Sequence, residues 1–82
     1  MGYAEELKKR AEEVREKHYA ETYEQIKMMI ATAVEQGKRS TFISYKFFKN
    51  DNALLKYIIE KCIEDEFVLR LYEKRMEIRL EE

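Results

Sequence analysis

The residues with the most chemical potential fall in one stretch, GKRSTFISYKFFKND, residues 37–51. From Gly37 to Asn50 it holds four bases (Lys38, Arg39, Lys46, Lys49), four aromatics (Phe42, Tyr45, Phe47, Phe48) and no acid. Lys38 and Arg39, followed by the hydroxyls of Ser40 and Thr41, are groups that hold a phosphate or a carboxylate. The letters GKRST overlap a nucleotide-binding loop. The spacing G-x-x-x-x-G-K-[ST] is absent, however, and the local order is helix then strand. Phosphate usually meets a helix N-terminus, where free N–H groups point outward. Here the basic pair follows a helix C-terminus, where cations offset the dipole. Lys46 and Lys49 suit a strand edge kept soluble by lysine. The stretch reads as a guarded edge with a candidate site for a ligand or partner at its start, Lys38, Arg39, Ser40 and Thr41.

A second candidate surface is the outward set of a C-terminal hairpin: Arg70, Tyr72 and Arg79, with Glu77 between them and Lys74 and Arg75 near the turn. Aromatic and basic residues on an open sheet face make a binding surface, and such platforms stack nucleobases. The ordinary alternative is cross-strand Glu–Arg pairing on a solvated sheet. Glu66, Glu73 and Glu77 dilute the basic potential, which disfavours nucleic acid. His18 is the only histidine and Cys62 the only cysteine, so no metal-ligand set forms and no intramolecular disulfide is possible. Cys62 sits among Ile58, Ile59 and Ile63, as a buried small hydrophobe does. Carboxylates recur at Glu12–Glu13 and Glu64–Asp65–Glu66, with no cleft to tune them for acid–base work. The residues contain no catalytic constellation and imply no cofactor; a non-enzyme is expected.

Elements must position these groups. Residues 3–36 contain no Gly or Pro. Ala4, Leu7, Ala11, Val14, His18 or Tyr19, Tyr23, Ile26, Ile30 and Ala33 recur at spacings of three and four, which predicts one helical face. Gly37 then suits the C′ position. Eight acids and six bases cover the rest of this segment, many at i,i+4, such as Glu5–Lys9 and Glu13–Lys17. About 34 residues at ~1.5 Å per residue make a rod of roughly 50 Å, longer than the domain it belongs to. Its second half, with Tyr19, Tyr23, Ile26, Met29, Ile30, Ala33 and Val34, is expected on the core. Its first half is expected to meet a second copy, with Leu7, Ala11, Val14, Tyr19 and Tyr23 at the seam.

Residues 41–48 alternate and predict a strand, with Thr41, Ile43, Tyr45 and Phe47 on one face and Phe42, Ser44, Lys46 and Phe48 on the other. Asn50 or Asp51 caps a second helix over 53–65, whose wide apolar face is Leu54, Leu55, Ile58, Ile59, Cys62 and Ile63. Residues 66–82 alternate twice and predict a hairpin turning near Glu73–Lys74, without Asn-Gly or Asp-Gly. Phe67, Leu69, Leu71, Met76, Ile78 and Leu80 face inward. The expected fold is a two-layer α+β domain, α-β-α-β-β, with a three-stranded sheet in a single domain over 1–82.

At 82 residues the chain forms one small domain, often marginal alone, which favours homo-oligomerisation through the first helix. Charged residues make up 40% and hydrophobic residues 45%, with a net charge of −1, so no global field attracts nucleic acid. A polar start, short apolar runs and a lone cysteine point to a soluble, cytoplasmic protein without a membrane span.

The segments EQGKRSTFISYKF, LLKYIIEKC and FVLRLYEKRMEIRL together resemble small proteins encoded by bacteriophages, with a charged N-terminal helix, a strand, a helix and a closing hairpin. The resemblance covers about half the chain. The chain departs from the pattern in having no closing tryptophan and no glycine after the second helix. The resemblance implies a stoichiometric inhibitor of a host protein, or a sponge for a small signalling molecule. Three readings are expected, in order: a protein-binding module, a sponge holding an anionic nucleotide-like ligand between subunits, and a nucleic-acid-associated regulator.

Overall fold

The computed structural model describes residues 2–81. The chain runs α1 (Tyr3–Glu35), β1 (Ser40–Ser44), a 3-10 turn (Tyr45–Phe48), α2 (Asn52–Glu64), β2 (Val68–Leu71) and β3 (Arg75–Arg79). This is the expected α+β fold: a long N-terminal helix and a second helix on one face of a three-stranded antiparallel sheet. The strand order is β1-β3-β2, so β3 is the centre and the other two strands are edges.

Local sequence explains where each helix stops. α1 ends at Gln36, and Gly37 follows at φ 84°. The Gly37 N–H donates to the Val34 carbonyl and the Lys38 N–H to the Ala33 carbonyl, which satisfies the last turn in a Schellman closure. α2 ends the same way without a glycine. Glu66 takes φ 66°, its N–H donates to the Ile63 carbonyl, and the Phe67 N–H donates to the Cys62 carbonyl. At the start of α2, the Asp51 carboxylate accepts from the Leu54 N–H at 3.0 Å.

Strand 1 is shorter than its alternation predicts. Ser44 has φ −67° and ψ 142°, and its Oγ accepts from the Lys46 N–H, which starts the 3-10 turn. A period of three replaces a period of two, so Phe48 turns into the core and Phe47 faces outward. The hairpin turns at Glu73–Lys74 as expected. Tyr45 supplies what its turn chemistry lacks, donating its N–H to the Lys74 carbonyl and its hydroxyl to the Tyr72 carbonyl at 2.7 Å.

The core lies between the helices and the inner sheet face. Ile26, Ile58, Cys62, Met76 and Ile78 are fully buried there, with Tyr19, Tyr23, Ile30, Ile43, Phe48 and Leu54 around them. Some apolar residues expected in the core lie outside it: Val34, Ile63, Leu71 and Leu80 are exposed, as is Met29. The molecule measures 53 × 25 × 18 Å, with a radius of gyration of 15.1 Å against ~12 Å for a compact chain of this length. The excess is α1, whose residues up to His18 are all exposed.

The apolar positions of α1 form two stripes, not one. At about 100° per residue, Tyr19, Tyr23, Ile26, Ile30 and Ala33 cluster around one direction. Ala4, Leu7, Ala11, Val14 and His18 cluster around a direction about 90° away from it. The core-facing line, followed back toward the N-terminus, runs into Arg15, Glu12 and Lys8.

Candidate functional site

The antiparallel ladder decides which backbone groups of β1 are free. Thr41 faces Ile78 and Ile43 faces Met76. The Arg39 carbonyl accepts from the Leu80 N–H, and the Tyr45 N–H donates to the Lys74 carbonyl. Odd-numbered residues therefore bond to β3. By alternation Ser40 and Phe42 turn their N–H and C=O groups to the open edge, and Ser44 its N–H, while the Ser44 carbonyl caps the 3-10 turn.

Beside that edge lies a groove of about 600 Å³ between β1 and the last turns of α1. Its floor is Met29 and Ala33, Met28 lies at its exposed outer margin, and its rim carries Gln36, Lys38, Ser40 and Thr41, with Phe42 at one end. Of the predicted site residues, Lys38, Ser40 and Thr41 come together here. Arg39 does not, because its guanidinium pairs with the Glu81 carboxylate. The floor follows from α1 passing beneath β1: Met29 borders the buried stripe of the helix, and Met28 stands farther round it, 69% exposed. Met28 is the residue that the helical spacing left out, an exposed flexible side chain beside Met29.

The other predicted residues, Arg70, Tyr72 and Arg79, lie on the outer sheet face and form a separate group. Their centre is Glu77, which is 5% exposed although alternation points it outward. Neighbours on the face bury it. Arg79 Nη1 pairs with Glu77 Oε2 at 3.2 Å, the Tyr72 hydroxyl donates to Oε1 at 3.5 Å, and Arg70 and Phe42 stand opposite it on the flanking strands. Phe42 and Tyr72 rings lie 6.4 Å apart, and the Arg75 guanidinium sits 4.2 Å over the Phe42 ring. Much of the charge on this face is spent on its own members, which favours the pairing reading of the hairpin over an empty anion site.

Tyr19 and Tyr23 belong to the protein's own core, which corrects their assignment to a seam between copies. The Tyr19 hydroxyl donates to the Asp51 carboxylate at 3.1 Å, and the Tyr23 hydroxyl donates to Asp65 Oδ2 at 2.5 Å and to the Lys61 carbonyl at 3.2 Å. Burial pushes the Tyr23 hydroxyl well above the ordinary phenol range, and the bond to Asp65 adds to this. The Leu54 N–H is the largest influence on Asp51 and holds its carboxyl below the usual carboxylate range against partial desolvation, with the Tyr19 hydroxyl assisting. Desolvation pushes the Cys62 thiol up to about 11, so it is the thiol and not the nucleophilic thiolate at neutral pH. Leu7, Ala11 and Val14 are exposed on the overhang.

A second hollow, about 640 Å³, lies between α1 and the 3-10 turn, with His18, Gln25, Lys46, Lys49 and Asp51 on its walls. Among the described residues no group of three His, Cys, Asp or Glu side chains stands close enough to hold a metal ion. No helix among them is long and apolar enough to cross a membrane. Compared with protein-family models, curated proteins and solved structures, the chain matches none.

Proposed function

We propose that this protein is a non-enzymatic binding module that takes an extended acidic segment of a partner protein as a fourth strand on β1. The observation that carries this reading is the free edge at Ser40, Phe42 and Ser44 beside a methionine-floored groove. An added strand would satisfy the outward backbone groups, and alternate side chains would enter the groove. The acid-free character of Lys38–Lys49 selects the partner's charge. Self-pairing of β1 about Phe42 would set Lys38 against Lys46 of the other copy, and like charges opposed across a ladder are destabilising. The resemblance to small phage-encoded proteins gives this binding the sense of stoichiometric inhibition of a host protein. A nucleotide sponge is served less well, because Arg39 is engaged by Glu81 and the groove floor is apolar.

The test is a titration with a synthetic peptide of alternating valine and glutamate, read by amide hydrogen exchange. Protection of the Phe42 and Ser44 N–H groups, abolished by Ser44→Pro, is the expected result. Unchanged exchange at both amides, or full binding to the Ser44→Pro variant, would sink the proposal. A rise in melting temperature with a panel of nucleotides, lost in Lys38→Ala, would move the reading to the sponge.

A further inference from the structure

The first sixteen residues or so of α1 stand clear of the domain, and their charges are sorted. Take the stripe Ala4, Leu7, Ala11, Val14 as the reference direction. At about 100° per residue, Arg15 and Lys8 fall within about 80° of it on one side, and Arg10 and Lys17 within about 100° on the other. Glu5, Glu6, Glu12, Glu13 and Glu16 all lie about 120° or more away. In heptad terms the stripe occupies a and d, four of the five bases occupy e and g, and the acids occupy b, c and f, with Lys9 also at f. Among the described residues the recorded ion pair within α1 is Lys27–Glu24, outside this segment. The flanking bases are not spent on the helix's own acids. Arg15, on the side of the helix that leads into the core-facing stripe, also lies within electrostatic reach of Asp51.

We infer that this overhang docks a helix of a different protein, one with an apolar seam of its own flanked by acidic residues. Two observations choose this occupant. First, a second copy would bring Lys8, Arg10, Arg15 and Lys17 against the same four residues, basic facing basic along both flanks of the seam. The sorting that would repel a copy attracts an acidic helix. Second, the stripe is made of small and medium residues, Ala4, Leu7, Ala11 and Val14. The alanines let a partner helix approach to about 8 Å between axes. A lipid surface would call for bulky apolar residues, and the stripe offers two alanines, one leucine and one valine. The contact runs from Ala4 to His18, about 21 Å or four turns. This surface is separate from the edge of β1, about a quarter turn from the core-facing stripe, so the two readings stand or fall independently.

The experiment uses the full chain and two synthetic peptides of about 21 residues, three heptads each. Both carry leucine and isoleucine at the seam; one carries glutamate at the flanks and the other lysine. Fluorescence anisotropy should show the acidic peptide binding about tenfold or more tightly than the basic one, and weakening as salt rises. Leu7→Asp combined with Val14→Asp should abolish binding with the melting temperature unchanged, since both side chains are exposed. Reversing Lys8, Arg10, Arg15 and Lys17 to glutamate should transfer the preference to the basic peptide. Equal binding of the two peptides, or of neither, overturns the inference. So does a native mass spectrum showing a dimer that Leu7→Asp dissociates, which makes the stripe a self-pairing seam. Sedimentation with phosphatidylglycerol–phosphatidylcholine vesicles, without peptide binding, would make it a lipid surface instead.

Discussion

Placing a proline at Ser44 tests the register of the whole sheet. Three structural facts set the size of the effect. Ser44 already has φ −67°, inside the proline range, so the ring imposes no new backbone angle. Restricting the unfolded chain at such a site stabilises by about 0.4–1 kcal/mol. Against this, the Ser44 Oγ that accepts from Lys46 N–H is lost, a cap worth about 0.5–1 kcal/mol at an exposed short turn. The Ser44 N–H points to the open edge, so no ladder bond is broken. The net change should lie within about 0.5 kcal/mol, which shifts the melting temperature by less than about 4 °C in a domain of this size. Proline one position earlier behaves differently. Ile43 donates into β3 opposite Met76, and Ile43→Pro removes that bond, strands a carbonyl and drives the ring toward β3. Its cost of at least about 3 kcal/mol is a large share of the roughly 4–12 kcal/mol that holds a chain of 82 residues folded. Thermal melts followed by circular dichroism compare the two. If Ser44→Pro unfolds the protein while Ile43→Pro is tolerated, the pairing is displaced by one residue and every assignment of inner and outer faces reverses.

Three further outcomes follow from the helix ends and their supports. Glu66→Gly relieves a left-handed glutamate at the close of α2 and should stabilise by about 1 kcal/mol, raising the melting temperature by about 4–8 °C; a fall would mean that Glu66 makes an unrecognised contact. Tyr23→Phe removes the hydroxyl shared by Asp65 and the Lys61 carbonyl and should cost about 1–2 kcal/mol, seen as a urea midpoint lower by about 1 M, whereas an unchanged midpoint would show that water replaces the bond at no loss. Asp51 has a carboxyl held below its unfolded value, so its contribution is present above the ordinary carboxylate range and is lost as pH falls through the folded value. Acid titration of Asp51→Asn should therefore lack a part of the stability loss that the parent shows below about pH 4.

The helices and the hairpin were legible because each rests on local signals. Gly37 sits where the left-handed residue is required, Asp51 sits at the cap, and alternation marks β2 and β3 even where Glu73–Lys74 makes a poor turn. The boundary between β1 and the 3-10 turn was hidden, since an apolar run such as Tyr45–Phe48 serves either a period of two or a period of three. The burial of Glu77 could not be read from its own position, because the side chains that cover it come from three strands. The open edge depends on strand order: β1 has a free side only because β3, and not β2, stands in the middle. The two stripes of α1 merge into one at spacings of three and four, and they separate only when the angles are summed over eight turns.

The central place of β3 also bears on how the protein is made. β1 and β2 do not touch each other in the ladder; each pairs only with residues 75–79. On a ribosome, both edge strands emerge before the segment that joins them, and Ile43, Phe48, Leu54 and Ile58 have no sheet to cover until it arrives. α1 can form as it leaves the tunnel, since its backbone hydrogen bonds span only four residues. The sheet waits, and then closes around β3 in one event. A stall in translation before Arg75 would release a helix joined to an apolar, unpaired remainder, a substrate for chaperones and proteases rather than a partly working protein.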